Sequence, residues 1–210
     1  MIKAIIFDLD RCILNPKSLD VDILDPVLAP LYASNVSAEL KQKMSEVLWH
    51  TAFEDAVVLY GVPADIAQRM RVECRRLEIP AGKEIYSYGD ESYIPALPVK
   101  KFLVTSGFRN FQTSKITKLG IAGMFDGIFI DESDDLTIRK KKKKIFEEIL
   151  GANDLQKEEV LVVGDNPISE LKAAKELGIV AIQTLRPGVQ KWDQADYHVT
   201  SLSELAELIK

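Results

Sequence analysis

Short apolar segments alternate with helical patterns along most of this 210-residue chain. Such segments predict buried strands of a parallel sheet, because a strand covered on both faces has little reason to alternate polar and apolar residues. They are residues 4–7 (AIIF), 102–104 (FLV), 127–130 (GIFI), 160–163 (VLVV) and 180–185 (VAIQTL). The helical patterns between the later segments therefore predict an α/β fold, with helices packed on both faces of the sheet.

Three of the helical patterns end in the same dipeptide, leucine followed by glycine. The glycines are Gly120, Gly151 and Gly178. A glycine just past a helix can adopt the left-handed conformation that stops it, so we expect each of the three helices to end at its glycine.

Residues 16–90 interrupt the alternation, because they contain no convincing strand. Ser37 is a good N-cap for one amphipathic helix, and Pro63 suits the first position of a second. We therefore predict an all-helical insertion between the first and second strands. This division gives a core of residues 1–15 and 91–210 and an insertion of residues 16–90.

Four groups of polar residues follow predicted strands. Asp8 ends the first apolar segment, Thr105 ends the second, and Asp165 follows the fourth. The basic run at residues 139–144 follows the third segment after a loop. Ligands of open parallel sheets bind at the carboxyl ends of the strands, so we expect these groups to share one rim. Asp10, two residues beyond Asp8, can face the same pocket.

These segments resemble the four ordered motifs of the haloacid dehalogenase-like superfamily of phosphohydrolases. The matching stretches are IIFDLDRCIL (5–14), FLVTSG (102–107), the lysine that precedes IF (145–146), and VVGDNPISELKAAKELGI (162–179). The insertion lies where that family carries an α-helical cap. The resemblance implies a Rossmann-like three-layer αβα core with a parallel sheet and an inserted helical cap.

The resemblance also implies the role of each catalytic residue. Asp8 is expected to attack phosphorus and form an aspartyl phosphate. Asp10 is expected to protonate the leaving oxygen, to activate water afterwards, and to ligate the metal through its backbone carbonyl. Thr105 is expected to donate a hydrogen bond to a phosphoryl oxygen. Ser106, Gly107 and Arg11 complete the expected substrate-binding residues.

The expected cofactor is Mg²⁺, a hard cation that suits carboxylate and phosphate oxygens. The resemblance makes Asp165 a direct ligand. Glu170 matches the second acidic position of its motif, and is expected to act through water or by orienting the catalytic lysine. The expected metal residues are Asp8, Asp10, Asp165 and Glu170.

The catalytic lysine must be chosen from the basic run. The family motif has its lysine six residues before the aromatic residue of the following helix, and counting back from Phe146 gives Lys140. A register one residue later would give Lys141, at a position where many relatives have proline. The remaining lysines are expected to be solvated, since surface charges contribute little.

These residues predict a cytoplasmic, Mg²⁺-dependent phosphatase acting on a small phosphorylated metabolite, such as a sugar phosphate, a phosphoglycolate-like acid or a nucleotide monophosphate. One alternative is a phosphomutase of the same superfamily. Another is a non-catalytic binding protein with a decayed site, because Arg11 stands where the family usually has glycine.

Charge and composition bear on the partners. A formal charge of -5 argues against nucleic acid as the main partner, and no apolar run is long enough to predict a membrane helix. The two cysteines are too few for a disulfide framework and fit a reducing cytosol.

Overall fold

The computed structural model describes residues 1–49, 51–132 and 139–209. The loop expected between the third strand and the basic run falls largely on residues 133–138, which lie outside the described residues. Six parallel strands form one sheet in the order β3-β2-β1-β4-β5-β6. The strands are β1 (Ala4–Phe7), β2 (Lys100–Gly107), β3 (Gly127–Glu132), β4 (Val160–Gly164), β5 (Val180–Thr184) and β6 (Tyr197–Val199). The predicted parallel α/β fold is thus confirmed, and β6 is an additional strand.

The central strand β1 is buried on both faces of the sheet. Ile5 and Phe7 belong to one apolar cluster, whereas Ala4 and Ile6 belong to another on the opposite face. Phe7 pairs with Leu103 of β2 and with Val163 of β4. This register brings the carboxyl ends of the three strands to the same edge.

Between β1 and β2 the described residues form four α-helices: α1 (Asp25–Tyr32), α2 (Ala38–Val47), α3 (Phe53–Tyr60) and α4 (Ala64–Arg76). The sequence pattern predicts only α2 and α4, because α1 and α3 have eight residues each and α1 contains an internal proline. Ser37 caps α2, accepting a hydrogen bond from the Leu40 amide at 3.2 Å. Pro63 is the N-cap of α4, one position earlier than expected.

This helical segment has an apolar cluster of its own, which includes Met44, Phe53 and Met70. The cluster also takes in Phe108 and Phe111, which belong to the sheet-bearing part of the chain. The helical segment therefore packs against that part of the chain. Its division from the core at residues 16 and 90 stays a prediction.

The remaining helices are α5 (Arg109–Leu119), α6 (Lys141–Ala152), α7 (Glu170–Leu177) and α8 (Leu205–Leu208). Gly120 and Gly178 end α5 and α7 with φ of 67° and 72°, as predicted. The prediction for Gly151 is wrong, because α6 continues to Ala152 and the Asn153 side chain donates to the Ile149 carbonyl at 2.9 Å. Among the described residues, the helices are too short or too polar to cross a membrane.

The chain leaves and re-enters the sheet through two paired segments. The Asn15 amide donates to the Tyr86 carbonyl at 3.1 Å, and the Tyr88 amide donates to the Ile13 carbonyl at 3.0 Å. Just beyond this pair, Arg186 donates to both carboxylate oxygens of Asp90 at 2.8 and 2.9 Å. The two ends of the helical segment are thus held side by side.

Candidate active site

Three buried carboxylates meet at the carboxyl edge of the sheet. Asp8 directly follows β1, Asp165 directly follows β4, and Glu170 is the first residue of α7. One carboxylate oxygen from each lies within 4.8 Å of the others. The structure therefore brings together the residues that the strand-end argument and the family motif placed here.

Lys142 is the cation of this carboxylate cluster. Its ammonium group lies 2.7 Å from Asp8 Oδ1 and 2.8 Å from Glu170 Oε2, and only 6% of its side chain is exposed. Lys140 is exposed and pairs instead with Glu148 at 2.9 Å. The expectation that Lys140 lies beside Asp8 is therefore wrong.

Helical periodicity explains why Lys142 occupies this position. Helix α6 buries Lys142 together with Ile145, Phe146 and Ile149, which recur at intervals of three and four residues. Lys141 has φ of 62°, which proline cannot adopt, so the chain does not enter α6 along the path that a lysine–proline pair would take. Counting from Phe146 with the family spacing therefore fails. The alternative register, Lys141, fails as well, because the Lys141 side chain is exposed and Lys142 makes the contact with Asp8.

The other lysines of the run lie on the outer side of α6. Lys143 pairs with Glu176 at 3.1 Å, and Lys144 lies 3.7 Å from Glu147. Their side chains are about half exposed, as expected for solvated positions. Only one lysine of the basic run therefore reaches the carboxylates.

Asp131 anchors the start of α6 to the sheet. Its carboxylate accepts hydrogen bonds from the Lys141 amide at 2.9 Å and from the Ser106 hydroxyl at 3.2 Å. The Arg139 guanidinium lies 3.6 Å away. Asp131 is not among the predicted site residues, although it directly follows the predicted segment 127–130 and the strand-end argument applies to it equally.

Asp10 points to a different set of partners. Lys115 of α5 donates to Asp10 Oδ1 at 2.8 Å, and Gln112 of the same helix donates to Asp10 Oδ2 at 2.9 Å. The Gln112 amide also lies 2.5 Å from the Thr105 hydroxyl oxygen. Gln112 thus joins the expected acid–base residue to the expected phosphate-binding threonine, and neither Gln112 nor Lys115 belongs to the motifs.

The surroundings of Asp165 and Asp10 shift the pKa values of these two carboxylates in opposite directions. Burial and the neighbouring charge of Glu170 raise the pKa of Asp165 to about 7. Burial also acts to raise the pKa of Asp10, but Lys115 and Gln112 outweigh it and hold that pKa below its ordinary value. Burial alone would lower the pKa of Lys142, yet the charges of Asp8 and Glu170 raise it.

The cluster of Asp8, Asp165 and Glu170 has more negative charge than Lys142 balances. Buried carboxylates need a compensating cation, and hard oxygen ligands suit Mg²⁺. The residues present therefore fit the expected metal. Both oxygens of Glu170 accept hydrogen bonds, one from Lys142 and one from the Asn166 amide at 2.7 Å, which suits a residue that orients the lysine.

The expected substrate-binding residues lie around the same rim. Arg11 has φ of 58°, a conformation that glycine adopts readily, and its charge offsets part of the rise in the pKa of Asp165. Gly107 has φ of 152°, and a Cβ there would lie 3.0 Å from the Gln112 side chain. The Ser106 hydroxyl is bonded to Asp131. The turn that the family usually makes with glycine is therefore also made here, with arginine.

Gly164, the last residue of β4, leaves room for the Glu170 side chain. A Cβ at Gly164 would lie 2.5 Å from Glu170 Cγ, which no real contact tolerates. We expect Gly164→Ala to displace Glu170 and with it Lys142, to destabilise the fold by about 1–3 kcal/mol, and to reduce turnover. Urea unfolding and phosphate release would measure the two effects.

The matched control is Gly123→Ala, because nothing lies within 4 Å of a Cβ at that position. Wild-type stability and turnover in Gly164→Ala would contradict the close packing of Glu170 against β4.

Comparison with known proteins identifies similar sequences. The sequence model of the family described as haloacid dehalogenase-like hydrolase matches residues 5–184. The glyceraldehyde 3-phosphate phosphatase of Methanocaldococcus jannaschii is 29% identical over 56% of this chain, a match that spans about half (52%) of that protein. The protein of the same name from Pyrococcus furiosus is 24% identical and aligns with 100% of this chain and 93% of its own length.

Solved structures resemble the fold. The HAD phosphatase from Thermococcus onnurineus has a TM-score of 0.65 at 22% identity, covering 99% of this chain and 98% of its own. The L-2-haloacid dehalogenase from Xanthobacter autotrophicus has a TM-score of 0.62 at 16% identity, covering 100% and 98%. At these identities the likeness concerns the fold alone.

Proposed function

This chain belongs to the family of haloacid dehalogenase-like hydrolases, and we propose that it is a Mg²⁺-dependent phosphatase that hydrolyses a small sugar phosphate through an aspartyl phosphate. Its phosphatase-named relatives support a phosphoric monoester hydrolase. The observation that carries the proposal is the buried contact of Asp8 with Lys142, beside Asp165 and Glu170.

Asp8 is the nucleophile in this proposal. A carboxylate oxygen of Asp8 forms a bond to phosphorus while the bond from phosphorus to the leaving oxygen breaks. Lys142 places positive charge next to Asp8 as negative charge gathers on the transferring group. Thr105 donates a hydrogen bond from its hydroxyl group to a phosphoryl oxygen and so orients the group for attack.

In this proposal Asp10 is first the general acid and then the general base. It supplies a proton to the leaving oxygen in the first half of the reaction. In the second half it accepts a proton from the water that attacks phosphorus, which releases phosphate and restores the Asp8 carboxylate. By the family resemblance, the dehalogenase branch lacks a carboxylate at this position, so Asp10 favours phosphoester chemistry over dehalogenation.

Mg²⁺ would be held by the carboxylates of Asp8 and Asp165 and by the backbone carbonyl of Asp10, with Glu170 acting through Lys142 or through water. When bound, the ion neutralises negative charge on the phosphoryl group and the carboxylates. The structurally similar HAD-hydrolase YfnB from Bacillus subtilis was solved with magnesium bound, which supports this choice of ion.

The relatives and the helical segment both support the proposed substrate class. Four relatives are named glyceraldehyde 3-phosphate phosphatase, which supports a short phosphorylated sugar. The helical segment packs against α5 through Phe108 and Phe111, next to Gln112 and Thr105. In this proposal it acts as a cap that covers a small substrate and excludes bulk water.

The test is a panel of phosphorylated metabolites, assayed with Mg²⁺ for free phosphate. It should include glyceraldehyde 3-phosphate, other sugar phosphates, phosphoglycolate and nucleoside monophosphates. We expect the highest kcat/KM on a short sugar phosphate. Isomerised sugar phosphate without free phosphate would instead identify a phosphomutase, and bound metabolite with no turnover would identify a binding protein.

Removing the metal should abolish turnover and also lower thermal stability. Mg²⁺ binds the native carboxylate cluster and not the unfolded chain, so saturating Mg²⁺ should raise the melting temperature relative to the chelated protein. In Asp165→Asn this dependence of the melting temperature on Mg²⁺ should disappear.

Ca²⁺ should bind the same cluster but inhibit turnover, because it accepts more ligands in looser geometry. Full activity after exhaustive chelation would refute the metal dependence.

A further inference from the structure

Two side chains of helix α5 bind the carboxylate of Asp10. Lys115 and Gln112 each donate to a different oxygen of Asp10, at 2.8 and 2.9 Å. Both donors are buried, with 5% and 1% of their surface exposed, whereas 37% of the Asp10 side chain is exposed. The two donors therefore leave one side of the carboxylate open.

The donors are themselves fixed in place. The Lys115 ammonium lies 4.2 Å from the centre of the Phe111 ring, within the range of a cation–π interaction. The Gln112 amide group also bonds the Thr105 hydroxyl at 2.5 Å and the Ser106 carbonyl at 3.1 Å. Neither donor can move far without breaking a second contact, so the carboxylate they hold has a defined orientation.

Neutralising the charge of Asp10 does not by itself explain why two buried side chains bind its carboxylate. A cation that merely neutralised Asp10 would need one contact, and a surface lysine could supply it at less cost in desolvation. Here a buried lysine and a buried amide bind separate oxygens, and the amide also contacts Thr105. Two-point contact fixes the rotation of the carboxylate as well as its charge.

We propose that Lys115, together with Gln112, is a positioning residue that holds the Asp10 carboxylate at the angle needed to transfer protons to and from the reacting oxygens. This inference rests on the proposed function, in which Asp10 is the acid and then the base. Neither Lys115 nor Gln112 touches the reacting atoms in this account; they act through Asp10.

The test compares two substrates of the same enzyme. A sugar phosphate has a poor leaving oxygen and needs Asp10 in both halves of the reaction. p-Nitrophenyl phosphate has a leaving group that departs without a proton, so it needs Asp10 only when water attacks the aspartyl phosphate. A misplaced Asp10 therefore has a kinetic signature that a general loss of stability does not produce.

We expect Lys115→Met to lower kcat on the sugar phosphate by about 10²-fold, the effect of a misplacement of about 1 Å, with little change in KM. On p-nitrophenyl phosphate it should give a burst of p-nitrophenolate equal to the enzyme concentration, followed by slow turnover. Quenched samples should contain phosphorylated enzyme. Lys115→Arg, which keeps a cationic donor, should recover part of the lost rate.

The matched control is Lys118→Met, one turn further along α5 and exposed, which should behave as wild type. If Lys115→Met does not fold, Lys115→Gln carries the same test, because it removes the ammonium group that binds Asp10 and leaves the contact between Gln112 and Thr105 in place. Wild-type kinetics in the folded variant, or an equal loss on both substrates without phosphorylated enzyme, would overturn the positioning role. A wild-type protein that releases no phosphate from any substrate would refute the proposed function, and the positioning role with it.

Discussion

Replacing Lys142 with methionine is expected to lower the rate of phosphate release by about 10²–10³-fold, the usual effect of removing one preorganised charge from an active site. The methionine keeps the apolar stem that packs on α6 while removing the ammonium group that lies 2.7 Å from Asp8. The measurement is kcat at saturating Mg²⁺, with circular dichroism to confirm the fold.

The basic run supplies its own controls for this experiment. Lys140→Met, Lys143→Met and Lys144→Met remove equal charge from the same helix end, but their partners are surface glutamates. Surface ion pairs contribute about 0–1 kcal/mol, so these variants should keep wild-type turnover. Loss of activity in Lys140→Met with wild-type activity in Lys142→Met would show that the family spacing, and not the buried contact, identifies the catalytic lysine.

Asp8→Asn is expected to abolish turnover while the protein stays folded. The amide has nearly the shape of the carboxylate but cannot attack phosphorus, so no aspartyl phosphate can form. Substitution also removes one negative charge from a crowded cluster, which should not destabilise the fold. Phosphate release and mass spectrometry of the quenched enzyme would measure both stages.

Asp22→Asn is the matched control, since Asp20 and Asp22 repeat the Asp-x-Asp spacing of Asp8 and Asp10 on an exposed stretch. It should leave activity unchanged. Near-wild-type turnover in Asp8→Asn would rule out the aspartyl-phosphate mechanism.

The sheet and its carboxylates could be predicted because both follow from burial. A strand covered on both faces is a continuous apolar segment, and the residue that ends it is carried to a common edge. The strand pattern alone was therefore enough to predict that Asp8 and Asp165 lie at this edge. Strand β6 was not predicted, because its three residues are too few to form a pattern.

The lysine that contacts Asp8 could be predicted only by combining the family motif with the periodicity of α6. Family spacing selected Lys140, but the apolar stripe of Ile145, Phe146 and Ile149 already indicates Lys142, which shares their face. That signal is present in the sequence and local periodicity could have found it. The spacing of the family motif locates the lysine only where the backbone enters the helix along the same path. The positive φ of Lys141 alters that path here.

Lys115 and Gln112 could not be found in this way. Their spacing from Phe111 and Ile116 places them on the buried face of α5, but this spacing does not indicate which residue they contact. Their contact with Asp10 spans more than one hundred residues of sequence. Such contacts depend on how α5 lies on the sheet, which only the assembled fold determines.

The two ends of the helical segment are hydrogen-bonded side by side, so the segment can be replaced as a unit. Asn15 and Tyr86 are one hydrogen bond apart, so a different segment could be spliced between them without stretching the sheet. The closure entropy of such a segment changes only slowly with its length. Any replacement must still cover Phe108 and Phe111, which would otherwise be exposed. Within that condition, the segment between Asn15 and Tyr86 can change in length and sequence while the carboxylates at the sheet edge keep their positions.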